Sequence, residues 1–120
     1  MSRDPWKLKV FLLADELVVR VYRATRGFPS EERFGLQAQI RRAAVSVPAN
    51  IVEGCARRTL RDYLHFVGIA IGSASEVRYL VGISQRLGLL EEGLAAELTQ
   101  GYSELVRGLQ TLISALESRT

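Results

Sequence analysis

Chemistry has few residues to work with in this sequence. There is one histidine, His65, and one cysteine, Cys55. Zinc needs such ligands in closely spaced pairs, so no metal site is expected. No Glu-x-x-His pair supplies the ligands of a di-metal bundle. No glycine-rich phosphate loop, GxGxxG or GxSxG occurs, which leaves no cofactor to expect. Ser73 and Ser84 have no evident base beside them. With no activated nucleophile or acid–base pair to assemble, the chain reads as a protein that is not an enzyme. His65 reads as a surface or interface residue. Cys55, beside Gly54, reads as a small packing residue; the competing reading is a thiol activated by Arg57 and Arg58.

Arginine carries the stronger signal. Residues 33–61 hold Arg33, Arg41, Arg42, Arg57, Arg58 and Arg61 against the single acid Glu53. Residues 62–120 hold four arginines against seven acids, so the net charge of +3 is concentrated in the middle of the chain. A guanidinium fork suits phosphate better than the point charge of lysine. Arg41, Arg42, Arg57, Arg58 and Arg61 are therefore the candidate contacts to RNA or DNA. The polar line Gln39, Arg42, Ser46, Asn50, Glu53 and Arg57 has a plainer reading, a solvated helix face with a Glu53–Arg57 pair.

Four amphipathic helices must position these residues. The first is expected to open at Asp4 as N-cap, with Pro5 in the first turn, and to stop at Gly27. Val10, Leu13, Ala14, Leu17, Val21 and Ala24 share its core face, while Leu8, Leu12 and Val19 form a second stripe almost opposite. A helix apolar on two sides has two packing partners, one of which can be another subunit. The second helix is expected from Ser30, with Leu36, Ile40, Ala43, Val47 and Ile51 repeating through Pro48. That proline predicts a kink, with the freed Ala44 carbonyl taken by water or by a side chain such as Asn50. The third runs from Thr59 to Gly88 and is apolar over most of its circumference, which predicts the central position in the bundle. Gly68 and Gly72 on its remaining side would let another backbone approach. The fourth begins near Glu91 and carries the seam Leu98, Tyr102, Leu105, Leu109, Leu112 and Leu116. The fold class is all-α, an antiparallel up-and-down four-helix bundle forming one domain over residues 1–120.

Composition narrows the classes further. Hydrophobic residues at 48% and charged residues at 24% exclude a disordered tail and a collagen-like repeat. A lone cysteine forms no internal bridge and, with no apolar leader in the first residues, points to a cytoplasmic protein. The charge-free stretch from Phe66 to Ser75 is too short to span a bilayer, so no membrane partner is expected.

The block Ala24-Thr25-Arg26-Gly27-Phe28-Pro29, the segment from Glu32 to Gly35, and the block Gln39-Ile40-Arg41-Arg42-Ala43-Ala44-Val45-Ser46-Val47-Pro48-Ala49-Asn50-Ile51-Val52-Glu53-Gly54 carry a resemblance. Tyr63-Leu64-His65-Phe66, the segment from Ile69 to Glu76, and Leu87-Gly88-Leu89-Leu90 extend it. The chain resembles the four-helix bundle protein family, also known as the large-subunit ribosomal RNA intervening-sequence protein family. The resemblance implies an up-and-down bundle assembled as a homopentamer around a central channel. It also implies kinship with accessory proteins of diversity-generating retroelements, which bind nucleic acid and a reverse transcriptase. No enzymatic activity is implied. Two readings follow: a homo-oligomeric nucleic-acid-binding accessory protein, or a protein-interaction scaffold whose arginines bridge subunits. Leu8, Leu12, Val19, Gly68 and Gly72 are the candidate oligomer interface.

Overall fold

The computed structural model describes residues 3–119. Its helices are α1 (Lys9–Thr25), α2 (Leu36–Cys55), α3 (Leu60–Arg86) and α4 (Glu92–Glu117), and no strand occurs among the described residues. Each helix packs on its neighbours in sequence and α4 closes the ring against α1, with no diagonal packing. The protein is therefore a square, antiparallel, all-α four-helix bundle.

Two helix starts differ from the sequence expectation. Asp4 does accept a hydrogen bond from the Trp6 amide (3.0 Å), and Pro5 does enter the first turn, but they close only a 3-10 turn over Pro5–Lys7. Leu8 then extends (φ −98°, ψ 124°) before α1 begins. Tertiary contacts redirect the chain here: the Arg3 amide donates to the Cys55 carbonyl (2.8 Å), and Leu8 packs against the core. Ser30 likewise opens a single 3-10 turn, Ser30–Glu32, without a side-chain cap. It is Glu32 that starts α2, accepting from the Leu36 amide at 3.0 Å.

The other boundaries follow the sequence. Thr59 accepts from the Asp62 amide at 3.1 Å and opens α3. Gly88 takes φ 77° after α3, a left-handed position that only glycine adopts freely. Glu91 caps α4 through the Gly93 amide at 2.8 Å.

Helix α2 runs from Leu36 to Cys55 with buried Pro48 inside it. The Asn50 amide does not serve the Ala44 carbonyl; it donates to the Ser46 carbonyl (2.8 Å) and hydroxyl (3.0 Å). Ser46 in turn meets Ser73 of α3 at 2.8 Å. The polar line expected to face water is thus partly a seam against α3.

The expectation that α3 is central is corrected by the packing. It occupies a corner like the other helices, touching α2 and α4 but not α1. Tyr63, Val67, Ala70, Ala74, Val77, Leu80 and Val81 are buried, and only 33% of its most apolar 18-residue stretch lies inside the protomer. By length and composition α3 could cross a membrane. Its excess apolarity points outward because a square bundle buries one stripe per helix, whatever the rest of the circumference carries.

Glycines set the helix spacing. A Cβ on Gly101 would lie 2.7 Å from Leu17, and one on Gly108 2.9 Å from Val10, so both glycines admit α1 against α4.

Candidate nucleic-acid interface

The five candidate arginines do not form one patch. Arg41 and Arg42 lie in the second turn of α2, whereas Arg57, Arg58 and Arg61 follow its end. About 20 Å of helix separates the two groups, from the 1.5 Å rise per residue.

The first group is tied into the fold. Arg41 donates from Nε to the Thr25 hydroxyl (2.8 Å) and from Nη2 to the Tyr22 carbonyl (3.2 Å). Its guanidinium also lies 4.4 Å from the centre of the Tyr22 ring. Thr25, fully buried, passes its own proton to the Val21 carbonyl at 2.8 Å, and Gln37 donates to the Thr25 carbonyl at 2.8 Å. Side chains of α2 thus satisfy the last carbonyls of α1, where a cation is also favoured by the helix dipole. Arg42 pairs across the seam with Glu76 of α3 at 2.6 Å. That pair is largely solvated (62% and 39% exposed side chains) and contributes little to stability. Arg41→Gln is therefore expected to lower stability by about 1 to 2 kcal/mol and Arg42→Gln by less than about 1 kcal/mol in urea denaturation. Equal losses would show that Arg41 does not cap α1.

The second group sits at the opposite end of α2. Arg57 pairs with Glu53, as the helical spacing predicts, and stacks 4.8 Å from the centre of Phe66. Arg58 and Arg61 are exposed. Arg3, which the sequence reading passed over, joins them: its guanidinium lies 4.2 Å from the centre of Tyr63. Only the tertiary hydrogen bond from Arg3 to Cys55 brings it there, and no local pattern signals it. His65 is a surface residue, edge-on to Phe66 with ring centres 5.3 Å apart.

Cys55 is buried, and burial pushes its thiol above the ordinary range, with Arg3 opposing and Asp4 reinforcing the shift. The activated-thiol reading is overturned by this burial; Cys55 is a packing residue. No cluster of three or more His, Cys, Asp or Glu side chains capable of holding a metal occurs among the described residues.

Of the candidate interface residues, Leu12 and Val19 face solvent at 47% and 45% exposure. Leu8 leaves that stripe, because its extended backbone turns it onto the core. Gly68 and Gly72 are exposed, with open space where each Cβ would stand. Tyr79 of α3 is exposed on the same side as Gly68 and Gly72, and Ile69 of α3 and Val45 and Val52 of α2 are further exposed apolar residues. The α2 pair has a sequence signal: Ala38, Val45, Ala49, Val52 and Ala56 repeat at seven, four, three and four residues beside the core stripe.

Concavities on the surface of the described residues include the following pair. One, of about 810 Å³, runs between α1 and α4 over Leu13, Leu98 and Gly101, with Arg20 and Arg23 on one rim and Glu97 and Glu104 on the other. The second, of about 430 Å³, lies where the α1–α2 connection meets α2, among Tyr22, Arg33, Phe34, Gln37, Arg41 and Arg42.

A model of the 23S rRNA-intervening sequence protein family matches residues 6–111. The chain belongs to that family. The family match contains both arginine groups and leaves Arg3 outside it. Among solved structures, five chains match. One is a protein of unknown function from the S23 ribosomal protein family of Bacteroides thetaiotaomicron, with a TM-score of 0.81 and 23% identity over 88% of this chain and 95% of that one. At that identity the likeness shows a shared fold. No curated protein matches. The intervening sequence protein family is thus established by sequence, and its helical architecture by the structure.

Proposed function

We propose that this family member is a non-catalytic, homo-oligomeric accessory protein of the cytoplasm that binds nucleic acid through its arginines. The observation that carries the reading is the gathering of Arg3, Arg57, Arg58 and Arg61 at one end of the bundle, with Asp4, Glu53 and Asp62 the acids near them in sequence. Such a group holds phosphates without reading base sequence. Self-association is supported by the outward apolar residues Leu12, Val19, Ile69 and Tyr79, and by the open strip at Gly68 and Gly72. A closed ring, with five copies as the resemblance implies, would repeat the arginine cluster so that the fields add. A reverse transcriptase or other nucleic-acid protein is the kind of protein partner that the resemblance suggests.

The scaffold reading draws on the Arg42–Glu76 and Arg57–Glu53 pairs, which show these arginines meeting carboxylates already. One experiment separates the two. Filter binding to duplex DNA and to RNA over a salt series is expected to show weak sequence preference. For three phosphate contacts per site, the slope of log affinity against log salt on duplex is about −2.7. Changing Arg57, Arg58 and Arg61 together to Gln flattens that slope while native mass spectrometry shows the oligomer intact. Under the scaffold reading the same variant dissociates instead. Replacing Leu12 and Val19 with Glu is expected to yield helical monomers. A wild-type protein that binds neither RNA nor DNA at low salt sinks the proposal.

A further inference from the structure

Phe34 is 87% exposed, more than any other large apolar side chain among the described residues. It stands where the sequence placed the first turn of the second helix, and it is free of that helix because Glu32 caps α2 at Leu36. Arg33 lies beside it, its guanidinium 5.4 Å from the centre of the Phe34 ring. Across the 430 Å³ depression stands the Tyr22–Arg41 stack. The depression thus combines π faces with three guanidinium groups, those of Arg33, Arg41 and Arg42. Two of its walls are fixed in advance: Arg41 by Thr25 and Tyr22, and Gln37 by its hydrogen bond to the Thr25 carbonyl. Gln37 keeps its carbonyl oxygen and one N–H for a ligand. Glu76 engages Arg42 in a solvated pair that a phosphate can displace, and the Glu32 carboxylate in the same connection is held by the Leu36 amide.

We infer that this depression seats one unpaired nucleotide of a nucleic-acid strand, the base stacked on Phe34 and the phosphate held by Arg33 and Arg42. A planar ring carrying an adjacent anion matches the two kinds of wall, and a paired base cannot offer its face. The inference rests on the nucleic-acid reading and gives it a polarity: single strands or loops bind at this end of α2, while the Arg57–Arg61 cluster holds backbone of either form.

The test uses a single-stranded decamer carrying 2-aminopurine, the matching duplex, and Phe34→Leu and Arg33→Gln variants. Both replaced side chains are exposed, so the bundle is left intact. Wild-type protein is expected to quench the 2-aminopurine on binding. Phe34→Leu should abolish the quench and weaken the single strand by about five-fold or more, the lower end of one base–aromatic stack. Arg33→Gln should weaken the single strand too, and neither variant should change duplex affinity. If both forms bind and Phe34→Leu changes neither, this inference falls and the wider nucleic-acid proposal stands. If neither form binds wild-type protein, both fall. A change of oligomer size in Phe34→Leu would make Phe34 a contact between copies and overturn the nucleotide site.

Discussion

Raising the pH above 10 is expected to destabilise this protein by about 1.4 kcal/mol for each further pH unit, the effect of one tyrosine, Tyr102, titrating only in the unfolded chain, with Tyr63 adding to the loss in the same direction. Tyr63 and Tyr102 are both fully buried, and neither hydroxyl has a hydrogen-bond partner among the described residues. Burial holds the Tyr102 phenol far above its ordinary value. Burial raises Tyr63 as well, with Cys55 adding to the shift and Arg3 opposing it. The sign follows from where the protons sit. Below pH 10 both phenols are protonated in folded and unfolded chains alike, and stability is independent of this pair. Above it the unfolded chain releases the Tyr102 proton that the folded chain retains, and the Tyr63 proton more readily than the folded chain does, so stability is lost as pH rises. The buried Cys55 thiol acts in the same direction. Urea denaturation between pH 7 and pH 11 measures the slope. Tyr63→Phe with Tyr102→Phe should remove most of it. At pH 7 the same variant should gain stability, because each unpartnered buried hydroxyl costs on the order of 1 to 3 kcal/mol. A double variant that keeps the wild-type slope would place the titration elsewhere.

Gly54→Leu is expected to cost about 3 kcal/mol and to separate the end of α2 from the start of α3. A Cβ at Gly54 would stand 3.0 Å from the Cβ of Phe66, 3.2 Å from the Tyr63 ring and 3.3 Å from the Tyr63 carbonyl. Two of these atoms belong to or adjoin the α3 backbone, so relief requires moving the helix rather than a side-chain tip. Gly68→Ala and Gly72→Ala should behave in the opposite way, each raising the stability of a free protomer by about 0.5 to 1 kcal/mol, since nothing lies within 4 Å of either added methyl. Thermal denaturation of the three variants, with light scattering on each, checks the contrast. If Gly54→Leu melts like wild type, the close approach of α2 and α3 is not what Gly54 provides. If the two alanine variants shrink the oligomer, the strip on α3 is a contact between copies.

The bundle was legible because its signals are local. Thr59 with Asp62, Gly88, and the spacing Leu98–Tyr102–Leu105–Leu109 are each decided within a few residues, and each appears where the sequence puts it. Asp4 and Ser30 carry equally good local signals, yet each closes only one 3-10 turn. At Asp4 the deciding contacts are distant, Arg3 on Cys55 and Leu8 on the core, whereas at Ser30 a second local cap, Glu32 on the Leu36 amide, takes over the helix start. The candidate site was half legible for the same reason. Composition finds the arginine-rich middle of the chain. It does not reveal that Arg41 caps α1, that Arg42 reaches Glu76, or that Arg3 joins Arg57 from the far end of the sequence. The exposure of Phe34 is not legible locally, because it depends on α2 starting only at Leu36.

The polar seam between α2 and α3 also fixes the phase of the bundle. Apolar surfaces tolerate sliding, because one aliphatic ridge fits a neighbouring groove nearly as well as its own. Here a slip of one turn, about 5.4 Å, would bring Ile69 or Val77 opposite the Ser46 hydroxyl in place of Ser73. On the far side of the square the alignment is mechanical, with Leu17 and Val10 keyed into the notches at Gly101 and Gly108. One edge of the bundle is indexed by hydrogen bonds and another by shape, so a helix sliding along its axis meets a stop on either side.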